Sequence, residues 1–217
     1  MRLSIGENVS ASFLFAKNGL VGHWVRLILL IIISAIPIVN FIAIGYIVKI
    51  YRGGKIAPEL EGYGRMFIDG VLLVIIGIIY AIIPIILICA GFFLGALEAS
   101  ATGVIIALIG IIVAIIFSLF ALLGCVRFAK NEDLEEAFNF QAILEKINDI
   151  GWVHYILSYI AIMVIITLIS GALSGIVQMY ADTSSLISGV ATLLLLIVTP
   201  VLSIWQGKFY ENLYSLA

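Results

Sequence analysis

The polar positions of this chain come in short clusters, and long stretches without a charged residue lie between them. Five stretches stand out: Leu27 to Val48, Gly70 to Leu97, Ala99 to Val126, Ile150 to Ala181 and Thr183 to Gly207, each of 22 to 32 residues. A helix rises about 1.5 Å per residue and the hydrocarbon core of a bilayer is about 30 Å thick, so about 20 apolar residues cross it. Within the stretches apolar residues follow one another without alternation, as in Val71–Tyr80. A membrane strand would alternate lipid-facing and lumen-facing side chains, which excludes strands as spans. The pattern predicts an all-α integral membrane helical bundle. Four full transmembrane helices form two hairpins, residues 70–97 with 99–126 and residues 152–181 with 183–207.

The first stretch, residues 24–49, is different because Pro37 and Asn40 interrupt it. Proline removes an amide donor and clashes with the preceding turn. Two readings follow: a fifth span, or a re-entrant hairpin whose arms of about 12 residues reach only about 18 Å. The basic residues favour the hairpin. Lys49, Arg52, Lys55 and Arg65 precede the second stretch, Arg127, Lys130 and Lys146 separate the third from the fourth, and Lys208 follows the fifth. The two short tips carry Glu98 and Asp182 and no basic residue. Cytoplasmic loops retain Lys and Arg. A re-entrant first segment keeps Arg2, Lys17 and Arg26 on the same side as the others, whereas a single crossing carries them outside. This places both termini in the cytoplasm and the protein in the cell membrane. In this reading Asn40 satisfies backbone groups freed by the break.

Composition closes off other classes. The chain is 64% hydrophobic and 11% charged, with a mean hydropathy of +1.26. A soluble domain of this size has no interior for so much apolar surface, a disordered chain would be polar, and a nucleic-acid binder would need a basic face. Glu7 and Lys17 interrupt the N-terminal region where a cleavable signal peptide needs an unbroken apolar core, so none is expected. Cys89 and Cys125 fall inside apolar stretches and read as small core residues. No metal spacing occurs and no cofactor is expected.

A weak internal repeat organises the rest. The second and fourth stretches open at Asp69-Gly70 and Asp149-Ile150-Gly151, and each carries a Gly-x-x-x-Gly near its far end, Gly91–Gly95 and Gly171–Gly175. Small residues one turn apart let helix backbones approach in lipid, so both motifs are expected at helix contacts. Phe13-x-Phe15 and Phe138-x-Phe140 precede the first and fourth stretches in segments that read as interfacial amphipathic helices, residues 1–22 and 130–149. The second is acidic, with Asp133-x-x-Glu136 as a candidate helix start, and its charge suits packing on the protein or a basic protein partner.

The segment Pro58-Glu59-Leu60-Glu61-Gly62-Tyr63-Gly64-Arg65-Met66-Phe67-Ile68-Asp69-Gly70, with the upstream Trp24 to Gly45-Tyr46 region, resembles a family of prokaryotic, mainly archaeal, multi-pass membrane proteins, the domain of unknown function 4013. The motif resemblance covers residues 20–97. That family carries a proline-acidic-aromatic loop leading to a phenylalanine and an Asp-Gly pair at the head of a membrane helix. Leu60 stands where it often has tryptophan. The resemblance implies a membrane protein and no particular activity.

Residues that could carry chemistry read more simply as structure. Gly62-Tyr63-Gly64 matches the potassium-filter tripeptide but follows Glu59 and Glu61 in a loop, where a turn is the better account. Asp69 and Asp149 stand where apolar helices begin and are expected as N-caps. His23 and His154, beside Trp24 and Trp152, read as interfacial anchors and less readily as haem ligands. No acid or base lies inside the spans, where ion-coupled transporters keep one, and no hydrolase or nucleotide-binding motif occurs. The residues singled out are therefore Pro37, Asn40, Asp69, Gly70, Gly91, Gly95, Asp149, Gly171 and Gly175, with no catalytic set. The expectation is a non-catalytic membrane protein that binds membrane lipids or a protein partner. The alternative is a small-solute permease built on helices broken at Pro37, Pro84 and Pro200. The oligomeric state is not encoded in any pattern found.

The topology has a direct check. Cysteine placed at Ser4 should resist a membrane-impermeant thiol reagent in intact cells, and cysteine at Ser100 or Ser184 should react. Labelling at Ser4 would restore a single crossing for residues 24–49.

Overall fold

The computed structural model describes residues 3–98, 101–181 and 184–215. Among them are eight α-helices and no strand: α1 (Ile5–Leu20), α2 (Trp24–Ala35), α3 (Asn40–Tyr51), α4 (Tyr63–Glu98), α5 (Ala101–Asn131), α6 (Phe140–Ile150), α7 (Trp152–Tyr180) and α8 (Ser185–Ser215), with a 3-10 turn at Glu135–Phe138. Four of them, α4, α5, α7 and α8, are long and apolar enough to cross a membrane. They form the two expected hairpins, α4 with α5 and α7 with α8. Their charged ends meet at one end of the molecule, where Lys130 of α5 bonds Glu211 of α8.

The first apolar stretch folds back on itself. α2 ends before Pro37, the chain turns through Ile36–Val39, and α3 returns. Leu30 and Ser34 of α2 line one cleft together with Asn40 and Ile47 of α3, which a straight helix would hold far apart. The turn closes with the Asn40 amide donating to the Ile36 carbonyl at 2.8 Å. The hairpin is shallow. Asn40 lies beside Thr199 and Ser203 of α8, nine and five residues before Lys208, so Asn40 sits about 8–14 Å below that charge and the turn just beyond it.

α3 is fixed by crossing α4 backbone to backbone. A Cβ on Gly45 would fall on the carbonyl oxygen of Met66, and a Cβ on Gly70 would fall on that of Phe41. Phe41 and Phe67 stack edge to face beside this crossing, with centroids 5.7 Å apart. α4 starts at Tyr63, earlier than the expected 70, because the positive φ of Gly62 ends the loop and its carbonyl takes the Met66 amide.

α1 meets α2 at an angle of 99°. Its N-terminus is closed by reciprocal bonds between Ser4 and Glu7, a capping box. Asn8, Ser12, Ala16, Gly19 and Leu20 are buried against the protein, and Glu7, Phe13, Leu14 and Lys17 are exposed. The Asn8 amide donates to the Phe209 carbonyl of α8 at 3.1 Å, and the Trp205 indole donates to the Val9 carbonyl at 3.1 Å. The acidic segment expected as one helix over 130–149 is two pieces. α5 runs to Asn131, and Asn139 caps α6 by accepting from the Ala142 amide. Asp133 instead accepts from the Glu135 amide.

Buried side chains concentrate at the charged end. They lie on α4 from Met66 to Tyr80, on α5 from Leu122 to Ala129, on α7 from Tyr155 to Ile162 and on α8 from Leu202 to Leu213. The far half of α4 and α5 is held by small residues: Gly91 meets Ala107, and Gly103 meets the backbone of Gly95. The other glycine motif departs from expectation. Gly171 and Gly175 have open space where a side chain would go, so α7 does not use them against this chain. Gly91→Ile should therefore lower the melting temperature in detergent by the equivalent of about 1–3 kcal/mol, and Gly45→Ala should do the same, as overpacking requires. Gly171→Ile should leave the melting temperature unchanged.

Candidate functional site

The cleft between the α2–α3 hairpin and α8 encloses about 270 Å³. Leu30, Ile44 and Ile47 supply apolar walls, and Ser34, Asn40, Thr199 and Ser203 supply polar ones. The hydroxyls of α8 are already donors to their own helix. Thr199 donates to the Leu195 carbonyl at 2.7 Å and Ser203 to the Thr199 carbonyl at 3.0 Å. Their lone pairs remain free to accept. Pro200, which has no amide hydrogen, leaves the Leu196 carbonyl without its intrahelical donor at the same level. The side chains of Ser34 and Asn40 make no hydrogen bond among the described residues, so the expectation that Asn40 satisfies the backbone of the break is not met. No ionisable group except Tyr46 lines the cleft, and its hydroxyl donates to the Pro58 carbonyl at 2.8 Å. The site can therefore accept and donate hydrogen bonds to a neutral group, and it offers a charge no counter-charge.

Directly above it lies a layer of ion pairs. Arg52, at the C-cap of α3, reaches Asp69 of α4 at 2.7 Å and Glu132 at 3.1 Å, and Arg65 meets Glu132 at 2.6 Å. Glu211, nearly buried, takes Lys130 at 3.1 Å, Lys208 at 2.6 Å and the Ser215 hydroxyl at 2.6 Å. Lys208 also donates to the Gly54 carbonyl, which ties the α3–α4 loop to α8. Lys49 donates to the carbonyls of Glu59 and Glu61 in the same loop. Arg127 pairs with Glu136 and reaches the Tyr214 hydroxyl.

Several residues singled out from the sequence have other places than expected. Asp69 is two turns into α4 and is an ion-pair partner, not an N-cap. Asp149 is in the last turn of α6, and Gly151 with φ 88° stands at the N-cap of α7. Asp69 is displaced because α4 begins before its apolar stretch, and Asp149 because it belongs to α6, which runs up to the start of α7. Asn40 lines the cleft, Pro37 lies in the turn before it, and Gly70 is at the α3–α4 crossing. Gly91 and Gly95 lie in the α4–α5 contact, remote from the cleft. His23 sits at the bend before α2, and His154 in the first turn of α7. Among the described residues no group of three or more His, Cys, Asp or Glu side chains could hold a metal ion. Ser34, Thr199 and Ser203 were missed because isolated hydroxyls in apolar runs are ordinary. The placement of Thr199-Pro200 was the available signal.

The ion pairs give the charged end a definite response to acid. The hydrogen bond from Arg65 and then the charge of Arg52 hold the Glu132 carboxyl below its ordinary range, and the hydrogen bond from Arg127 does the same for Glu136. A depressed carboxylate stabilises the fold above its unfolded pKa and loses that contribution as pH falls through its folded pKa. The melting temperature should be level above about pH 5 and decline below about pH 4, where ordinary carboxylates take up protons. Arg65→Gln should flatten the acid limb, as measured by thermal unfolding at constant ionic strength.

Comparisons with known proteins bear on the chain as a whole. No curated protein and no solved structure matches it. A protein-family model described as a protein of unknown function, DUF4013, matches residues 28–179, more than half of the chain. That match begins within α2, takes in the hairpin, the α3–α4 crossing and the whole α4–α5 pair, and ends near the end of α7. The chain thus belongs to the DUF4013 family of proteins of unknown function.

Proposed function

We propose that this multi-pass membrane protein is non-catalytic and binds an uncharged lipid headgroup in the cleft between the α2–α3 hairpin and α8. One observation carries the reading: a small hydrogen-bonding cleft stands at membrane depth without a counter-charge. Ser34 and Asn40 offer unused polar groups there, and Thr199 and Ser203 offer lone pairs. A charged headgroup at that depth needs a partner of opposite sign, and the cleft has none. Its volume is at the small end for ligand pockets, about 300–1,000 Å³, which suits a headgroup with its chains outside. Exposed Ile36 and Ile38 at the turn give such chains an apolar path. The same gap in ionisable groups weighs against an ion-coupled permease.

Sidedness belongs to the same proposal. The basic residues among those described lie on elements that meet at the charged end, together with α1 and the last turns of α8. The retention of Lys and Arg on the cytoplasmic side supports placing that end in the cytoplasm and the protein in the cell membrane.

The purified protein should be stabilised by dioleoylglycerol in detergent micelles, and not by phosphatidylglycerol or by small polar solutes, in a thermal-shift assay. Asn40→Ala and Ser34→Ala should keep the ligand-free melting temperature within about 2 °C, as the absence of intrachain bonds implies, and lose the dioleoylglycerol shift. A polar solute that stabilises the wild type and fails with Asn40→Ala would replace this reading with a permease.

A further inference from the structure

The helices are divided unequally between the two halves of the membrane. Four helices pass through the half remote from the charged end. In the half beneath the ion pairs, α1, α2 and α3 join them. Each arm of the hairpin has 12 residues and is about 18 Å long, so the turn stops near the midplane of a core about 30 Å thick and none of the three helices crosses the other leaflet.

These three helices present an apolar surface away from the protein. Trp24 is 64% exposed and Val25 73%, and Ile28, Ile32, Ile36 and Ile38 follow along the rest of α2 and the turn. No charged side chain lies between Leu27 and Val48. Phe13 and Leu14 extend the surface to α1 at the interface, where Glu7 and Lys17 are also exposed. Acyl chains of one leaflet are the occupant that this surface fits. It is continuous with the lipid-facing sides of α4 and α8, it lies at hydrocarbon depth, and a tryptophan marks its upper rim.

The unit is also held rigidly enough to displace lipid instead of yielding to it. Gly45 and Gly70 lock α3 to α4, and Asn8, Val9 and Trp205 lock α1 to α8. Arg26 of α2 donates to the Gly19 carbonyl at 2.8 Å and braces the bend between α1 and α2. The two hairpin arms, each about 10–12 Å in diameter, add on the order of 200 Å² of cross-section to one leaflet and nothing to the other, and α1 lies across α2 at 99°.

We propose that α1–α3 form a one-leaflet wedge, so that the protein prefers, and at high density generates, membrane that is convex on its charged side. Apolar helices inserted into one leaflet respond to curvature because convex bending opens the packing defects they fill. This proposal does not rest on the cleft or on a ligand in it.

The test uses the full chain carrying an N-terminal fluorophore, reconstituted into vesicles of phosphatidylcholine with phosphatidylglycerol. Protein density per unit lipid is read vesicle by vesicle, and orientation is assigned from protease access to the α3–α4 loop. With the charged end outside, density should be about threefold higher on vesicles about 50 nm across than on those about 400 nm across, and with the charged end inside the preference should reverse. The variant V25A/I28A/I32A trims exposed side chains away from the cleft and its turn, and its folding is checked by its melting temperature. It should bring the density ratio close to one. Equal density of the wild type on both sizes, or the same preference in both orientations, would overturn the wedge. So would a folded variant that keeps the full ratio. Loss of the lipid shift in the cleft assay would leave this result untouched.

Discussion

The crossing of α3 over α4 depends on two hydrogens. At Gly45 and Gly70 there is no room for a methyl group, and the backbone carbonyls of Met66 and Phe41 take the space. In lipid no hydrophobic drive brings helices together, so close backbone approach and dispersion must do it. This contact sets where α3 can lie, and α3 in turn sets the depth of the Pro37 turn, the opening of the cleft and the position of α2. Broken backbone at membrane depth is tolerated only beside protein or a polar cavity. The crossing supplies the first, and the cleft on the other side of the hairpin supplies the second.

The charged end reinforces this arrangement by a different kind of force. Arg52 leaves α3 and bridges Asp69 of α4 to Glu132 after α5, while Glu211 gathers lysines from α5 and α8. Exposed pairs such as Arg65–Glu132 contribute little one by one. Glu211 is different, since its side chain is only 7% exposed and losing a partner of a buried carboxylate leaves a charge unmatched. The α3–α4 loop is caught between the two layers. Its glycines Gly53 and Gly54 take positive φ angles of 98° and 145°, which lets it bend over Glu211 and present a carbonyl to Lys208.

Much of this was legible in the sequence. Charge-free runs located the four spans, and Pro37 with Asn40 located the turn, because solvent thickness and proline chemistry act locally. Helix starts were less legible. Apolar runs mark where lipid begins, whereas α4 begins at Gly62-Tyr63 and α6 at Asn139, in the polar layer. That gap turned Asp69 and Asp149 from expected caps into a pairing residue and a last-turn residue. The capping box at Ser4 and Glu7 was present in the text of the chain and signals the start of α1. Gly91–Gly95 and Gly171–Gly175 read alike, yet only the first pair lies in a helix contact within the chain. Spacing specifies a face, and which neighbour comes to that face depends on the whole bundle. The cleft hydroxyls were hidden for the same reason: Ser34 and Ser203 lie 169 positions apart and meet only through the fold.

The one-sided core has a bearing on how the protein lives with different lipids. Bilayers vary by several ångströms in hydrocarbon thickness, and helices adjust to a mismatch by tilting. In a bundle packed along its full length, a tilt at one end is passed to the other. Here the halves of α7 and α8 remote from the charges carry few buried side chains, and α4 and α5 are joined there mainly to each other. Each hairpin can lean on its own as the bilayer thins or thickens, while the ion pairs and the glycine crossing hold the opposite end still. The cleft is thereby insulated from membrane thickness: its geometry is referenced to one surface of the bilayer alone.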